Sequence, residues 1–399
     1  MTAPQARVLV VEPGDTPDAL SAHVAREGYG VDTAAPNGAA LAKLRAERFD
    51  LVVLDVSPSH QDGTRFLEAL RSDAELAPVP VIVVSAVEDV DVVARCLELG
   101  ADDYLPRSFR PAMLRARLGA ALDRRRARAA ESLTREMDVA RSIQRDFLPE
   151  ALPLVMGMQL DAALRPAREV SGDFYDAFGL EPGNTIVLVV GDVCDKGFGA
   201  ALFMALFRSL IRASADPVGG GAIQMIGGRR TLVRQALESA SPADLLTRVA
   251  GFTNDYIARL HGRTNMFATV FLAALTPQTG QFDYLNAGHE PAIVMGRDGT
   301  TVELMPTGPA LGLFPGATFR TGEGTLGPGA SLVAFTDGLV EARSPAGEAF
   351  GSERLQSALR AHNGSAATLV RGVIEALQGF TAQAEPHDDV TLLVARSFG

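Results

Sequence analysis

The sequence predicts two folds in one chain: a doubly wound α/β domain over residues 5–122, then an α+β domain of antiparallel sheets covered by helices over residues 155–397. Three observations predict this. Short β-branched apolar runs alternate with amphipathic stretches in the first third, which is the pattern of parallel strands buried on both faces. An almost unbroken helical pattern follows over residues 110–149. Beyond it, neighbouring strand-like runs dominate and helices are segregated, as in layered α+β architectures.

The elements follow in order. Residues 8–11, 51–54, 79–84 and 103–105 read as strands, and residues 18–27, 39–46, 65–72 and 90–99 as helices with three- and four-residue apolar spacing. Gly100 after Leu99 is a helix stop. The site of a doubly wound domain lies at the carboxyl ends of its strands. In the long helix, Leu114, Leu118, Leu122, Ala129, Leu133, Met137, Ala140, Gln144 and Phe147 form a stripe that Pro149 and Pro153 end. Such a stripe either packs along the chain's own domains or forms a homodimeric coiled coil. Arg125 and Gln144 interrupt it. In the second domain, strands are expected at 159–164, 185–190, 267–275, 281–285, 292–295, 331–335 and 390–395, and helices at 200–213, 242–260, 353–360 and 366–377. The glycines from Gly219 to Gly228 read as a mobile insertion; they lack the Gly-Lys-Ser/Thr ending of a phosphate loop.

Composition narrows the function. The chain has 399 residues, 47% hydrophobic and 21% charged, with a net charge of −11. That balance belongs to a soluble globular protein and repels nucleic acid away from local basic patches. The patch at Arg124, Arg125, Arg126 and Arg128 lies within the helical pattern and reads as a solvated face. The N-terminus has no signal-peptide pattern, and apolar runs such as 186–190 are too short to span a bilayer, so no membrane partner is expected. Two cysteines, Cys96 and Cys194, without metal-type spacing fit a reducing cytoplasm.

Acidic residues cluster at four turns or strand ends: Ser171-Gly172-Asp173, Gly191-Asp192-Val193, Thr336-Asp337-Gly338 and His387-Asp388-Asp389-Val390-Thr391. Asp192 and Asp337 each follow an apolar run, whereas Asp388 and Asp389 precede one. Carboxylates gathered at one end of a sheet sandwich are costly without compensation. Hard divalent cations with oxygen ligands, Mn²⁺ or Mg²⁺, neutralise such a set, and a pair of them activates water for attack on phosphorus. Each dipeptide alone is an ordinary turn. Four in this order are a site.

These motifs carry a resemblance. Residues 168–176, 191–197 with 200–202, 266–269, 286–289, 335–338 and 388–391 resemble the SpoIIE-like branch of the protein phosphatase 2C-type (PPM) superfamily. The resemblance implies a four-layer αββα sandwich and a two-metal core that hydrolyses phosphoserine or phosphothreonine. It implies that Asp192 bridges the metals with help from the Val193 carbonyl, that Asp337 and Asp388 complete one metal, and that Asp173 binds or orients waters on the other. Arg168, five positions before Asp173, matches a phosphate-binding arginine of related enzymes, and its fork suits phosphate. Where many eukaryotic relatives carry a histidine as general acid, this chain has Cys194. No arginine follows Cys194 at the spacing a cysteine phosphatase needs. His289 reads as a structural turn histidine and His387 as incidental.

Residues 7–122 resemble a two-component receiver domain, through Asp55, Asp62-Gly63, Ser85 and the run from Gly100 to Leu105. The resemblance implies Asp55 as phosphoacceptor, Glu12, Ser85 and Arg107 as the switch set, a bound Mg²⁺ and a sensor histidine kinase as partner. The sequence departs from the receiver pattern at the metal. The acidic pair is Glu12-Pro13, Asp15 substitutes only if its loop bends back, and the usual lysine is Arg107 followed by Ser108.

The expected function is therefore metal-dependent dephosphorylation of a regulatory protein, with an anti-sigma factor antagonist as the substrate that SpoIIE-like systems suggest, under control of the receiver. The alternative is a phosphoprotein-binding scaffold that does not turn its ligand over. A DNA-binding regulator requires a basic helix-turn-helix unit, and none is visible.

Overall fold

The computed structural model describes residues 6–12, 19–56, 62–86, 90–180, 185–215, 221–226, 229–234, 241–382, 384 and 386–398. Pro13, Asp15, Gly219, Gly220, Gly227 and Gly228 lie outside the described residues. The chain divides into two compact units, Met1–Glu136 and Met137–Gly399.

In the first unit, β1 (Arg7–Val11), α1 (Leu20–Arg26), β2 (Gly30–Ala34), α2 (Gly38–Ala46), β3 (Leu51–Asp55), α3 (Asp62–Ser72), β4 (Val81–Ser85), α4 (Val90–Glu98) and β5 (Asp103–Pro106) alternate. The five strands form one parallel sheet in the order β2-β1-β3-β4-β5. Every residue of β3 and β4 is buried, which is why they read as continuous apolar runs. β2 escaped the sequence reading because Gly30-Val31-Asp32-Thr33-Ala34 is an edge strand with no fully buried residue. β4 begins at Val81 rather than residue 79, since Pro80 has no N–H to give to a ladder. Gly100 takes φ +95°, the left-handed conformation of a helix end.

Helix α5 (Pro111–Asp146) contributes to both units. Leu114, Leu118, Ala121 and Leu122 are packed in the core of the first. Its two polar interruptions are anchors: Arg125 Nη1 donates to the Phe49 carbonyl at 2.7 Å, and Gln144, 8% exposed, pairs with the Ser171 backbone through both amide atoms. Val139 and Ile143 are more than half exposed.

The second unit is built from β6 (Met158–Arg165), β7 (Asp173–Leu180), β8 (Thr185–Val193), α6 (Phe198–Ala215), β9 (Gly221–Ile226), β10 (Arg229–Arg234), α7 (Pro242–Leu260), β11 (Ala268–Leu275), β12 (Gln281–Ala287), β13 (Ala292–Met295), β14 (Thr301–Leu304), β15 (Gly322–Thr325), β16 (Ser331–Phe335), α8 (Asp337–Glu341), α9 (Gly351–Ala361), α10 (Ala366–Thr381) and β17 (Val390–Ser397). One antiparallel sheet runs β15-β12-β11-β8-β7 and a second runs β14-β13-β16-β17-β6. Phe271, Leu188, Val190 and Leu275 of the first meet Leu332, Leu393 and Ala395 of the second between the sheets. α6 and α7 cover the outer face of the first sheet, through Met204, Phe207, Leu246 and Ile257. α9 and α10 cover the second through Leu355, Leu359, Leu369 and Val373. The result is the four-layer αββα sandwich.

Where it is described, the glycine-containing segment around residue 225 pairs β9 with β10 as antiparallel strands; Gly219, Gly220, Gly227 and Gly228 of the expected insertion lie outside the described residues. By length and composition α6 is apolar enough to cross a bilayer, which the short-run reading missed. Its Met204, Phe207 and Ile211 are instead buried in the core, each worth about 1.5–3 kcal/mol there.

Candidate active site

The carboxylates are brought together by strand register. Asp173, the first residue of β7, is the cross-strand partner of Asp192 near the end of β8. Asp192 in turn pairs with Thr269 of β11. Asp337 opens α8 directly after β16, and Asp388 and Asp389 lead into β17, the neighbour of β16. Two threonines connect the sheets: Thr336 Oγ1 and Thr391 Oγ1 both donate to Asp173 Oδ2 at 2.7 Å. Thr336 Oγ1 also accepts from the Thr391 N–H at 2.9 Å.

Glycines hold the space open. A Cβ on Gly172 would stand 3.0 Å from the Val193 carbonyl oxygen and 3.7 Å from Asp192 Oδ1. At Gly338 a Cβ would collide with the Asp389 carbonyl and reach within 3.1 Å of the Asp388 side chain.

Electrostatics register the crowding. Burial, then the charges of Asp337 and Asp388, pushes Asp192 up to about 7. Asp173 is 2% exposed and lies well above the carboxylate range, through burial first and the facing Asp192 second. Asp337 is raised by burial and by Asp388. Glu290 is raised by burial and then by Asp337, which places a further carboxylate in the field of the cluster. Such mutual repulsion is what a cation relieves. The donors are carboxylates with the Val193 carbonyl nearby, an all-oxygen set that suits hard divalent ions. Among the described residues, no three His, Cys, Asp or Glu side chains already converge on one point at metal-binding distance. Asp388 Oδ2 instead meets Lys196 Nζ at 2.8 Å, and Asp173 is engaged by its two threonines.

Four residues that shape the site were missed by motif reading. Asp389, 9% exposed, accepts from Ala167 N at 2.7 Å, Ser171 Oγ at 2.8 Å and Gly172 N at 2.8 Å. It fixes the loop that presents Asp173. Lys196 reaches Asp388 and donates to the His387 carbonyl at 2.7 Å. Thr336 and Thr391 orient Asp173. All of these stand inside quoted motifs, beside a carboxylate that took the attention. Arg168 is exposed in the bend between β6 and β7, next to Ala167.

Cys194 Sγ accepts from the Phe267 N–H at 3.2 Å, and burial raises its thiol. It is not an activated nucleophile. His289 is 3% exposed, its Nδ1 2.9 Å from Thr269 Oγ1, and its N–H donates to Asn286 Oδ1 at 2.7 Å. It closes a turn in which Gly288 has φ +68°.

In the first unit, Asp55, Ser85, Arg107 and Glu12 all lie at the carboxyl edge of the sheet. Arg107 pairs with the Asp55 carboxylate, and its N–H donates to the Ser85 carbonyl at 2.8 Å. The Glu12 carboxylate is engaged on α1, accepting from Leu20 N at 3.0 Å and Ser21 Oγ at 2.7 Å.

Comparison with known proteins gives the families of the two domains. Residues 182–398 match Stage II sporulation protein E (SpoIIE), a span that includes Asp192, Asp337 and Asp388 and begins after Asp173. Residues 8–119 match the response regulator receiver domain. The chain is 39% identical over 270 residues to Protein IcfG of Synechocystis, covering 65% of this chain and 41% of IcfG. It is 26% identical over 271 residues to phosphoserine phosphatase RsbU of Bacillus subtilis, covering 67% of this chain and 71% of RsbU. The SiaA-PP2C domain of Pseudomonas aeruginosa shares the fold, with TM-score 0.52 at 22% identity over 68% of this chain and 99% of that one. With the match covering more than half its length and a receiver domain ahead of it, the chain belongs to the SpoIIE family.

Proposed function

We propose that the C-terminal domain hydrolyses phosphoserine or phosphothreonine on a regulatory protein, using two divalent cations. The observation that carries this is the cross-strand pairing of Asp173 with Asp192, with the charges of Asp337 and Asp388 acting on Asp192. Asp192 with the Val193 carbonyl would hold both ions, Asp337 and Asp388 would complete one, and Asp173 would orient waters on the other. When bound, Mn²⁺ or Mg²⁺ supplies charge neutralisation and activates water for in-line attack on phosphorus. Arg168 binds the phosphoryl oxygens as a fork. Because Cys194 is only half-buried and its thiol is raised rather than activated, the leaving alkoxide takes its proton from water or another group.

The substrate we propose is an anti-sigma factor antagonist in the cytoplasm. The receiver domain tunes the phosphatase, with Asp55 as phosphoacceptor, Mg²⁺ as its ion, a sensor histidine kinase upstream and a homodimer through α5, whose Val139 and Ile143 are exposed. The domains run over 5–122, 110–149 and 155–397. A non-hydrolysing phosphoprotein scaffold is the second reading, favoured by the absence of three converging ligands among the described residues. One assay separates them: Mn²⁺-dependent phosphate release from a phosphoserine peptide, compared with Asp192→Asn and Asp337→Asn. Turnover by the wild type alone supports the enzyme. Equal rates in all three support the scaffold.

A further inference from the structure

A pocket of about 230 Å³ opens beside Asp388, several times the ~30 Å³ share of one water. It is continuous with the carboxylate cluster, because Asp388, Gly338 and Lys196 line it. Its carbon wall comes from Leu377, Val390 and Pro386, and the first two are also members of the helix–sheet core.

The cations around it are already engaged. Lys196 Nζ is held by Asp388 at 2.8 Å and the His387 carbonyl at 2.7 Å. Arg343 Nη1 donates to the Gly347 carbonyl at 2.9 Å. The Gln378 amide, with its oxygen turned toward Arg165, accepts from Arg165 Nη2 at 3.2 Å. An anionic ligand would have to break these pairs and would also meet Glu341 in the lining, whereas an aliphatic one gains from the carbon wall without disturbing them. Extended chain advances about 3.3 Å per residue, so a segment with its phosphoserine at the cluster has a near neighbour at this pocket.

We propose that the pocket is a specificity subsite for a leucine-sized aliphatic side chain near the phosphoserine of the substrate protein. This rests on the phosphatase reading above. The test uses phosphoserine peptides in an alanine background, with leucine placed singly from three residues before to three after the phosphoserine. The wild type should prefer one leucine position over the all-alanine peptide by about tenfold in kcat/KM, the discrimination an apolar pocket gives. Thr381→Phe and, from the other wall, Ala384→Phe should collapse that ratio toward one. Because the ratio is taken within each protein, a general loss of activity does not imitate the effect. No leucine preference in the wild type, or a preference that survives both plugs, overturns the subsite. Failure to hydrolyse every peptide and para-nitrophenyl phosphate as well overturns the phosphatase reading, and the subsite with it.

Discussion

Asp173 and Asp192 face each other as cross-strand partners on adjacent strands, with the charges of Asp337 and Asp388 also acting on Asp192. Four acids are thus folded against one another at the ends of two sheets, an arrangement that opposes folding in the absence of cations. Asp192→Asn should therefore raise the Tm of the metal-free protein by a few degrees, about 1 kcal/mol corresponding to 2–4 °C at this domain size. The same change should reduce Mn²⁺-dependent phosphoserine hydrolysis by about 100-fold or more, beyond the 10–100-fold typical of residues that only support a metal ligand. Thermal melting in chelator and a phosphate-release assay check both halves.

Asp389 should behave oppositely. It receives donors from Ala167, Ser171 and Gly172, so Asp389→Ala leaves them unpaired in a buried place. The expected cost is about 1–3 kcal/mol for an unsatisfied buried group, read by urea denaturation. Unchanged stability would show that the loop before β7 does not depend on this residue.

His289 provides a pH signature. Burial lowers its pKa from 6.5 to about 4 in the fold. Between these values the unfolded chain binds a proton that the native one refuses, so stability falls as pH drops from about 6.5 toward 4 and is unaffected above that window. In His289→Gln this contribution is gone. The Tm difference between wild type and variant should shrink from pH 8 to pH 5. A difference independent of pH would contradict a neutral buried imidazole.

The receiver domain should accept phosphate poorly. Arg107 pairs with Asp55 and the Glu12 carboxylate is engaged on α1. Incubation with acetyl phosphate and Mg²⁺ should label only a small fraction of the wild type, and Arg107→Lys together with Glu12→Asp should raise that fraction several-fold. Rapid, complete labelling of the wild type at Asp55 would show that these contacts are no obstacle.

Much of this was legible in the sequence, for reasons tied to particular residues. β16 and α7 were read with their observed bounds; the apolar run stops at Phe335 before Thr336 and Asp337, and in the fold Ser241 and Asp244 form a capping box at the start of α7. The short edge strands β14 and β15 were not legible. Gly322-Glu323-Gly324-Thr325 has no apolar alternation, and its glycines are needed where the Tyr284 and Phe282 rings lie against the backbone. Gln144 read as a flaw in a coiled coil, yet it is an anchor, since only the fold brings Ser171 to it. Asp388 and Asp389 read as one cluster, whereas register turns residue 389 toward the 167–172 loop and leaves residue 388 to Lys196.

The central claim is that these carboxylates hold a pair of divalent ions. Calorimetric titration of Mn²⁺ into the metal-free protein at pH 8, above the raised pKa of Asp192, tests it most directly. The account predicts two ions per chain in the wild type and loss of binding in Asp192→Asn. Binding that is absent from the wild type, or unchanged by the substitution, would contradict it.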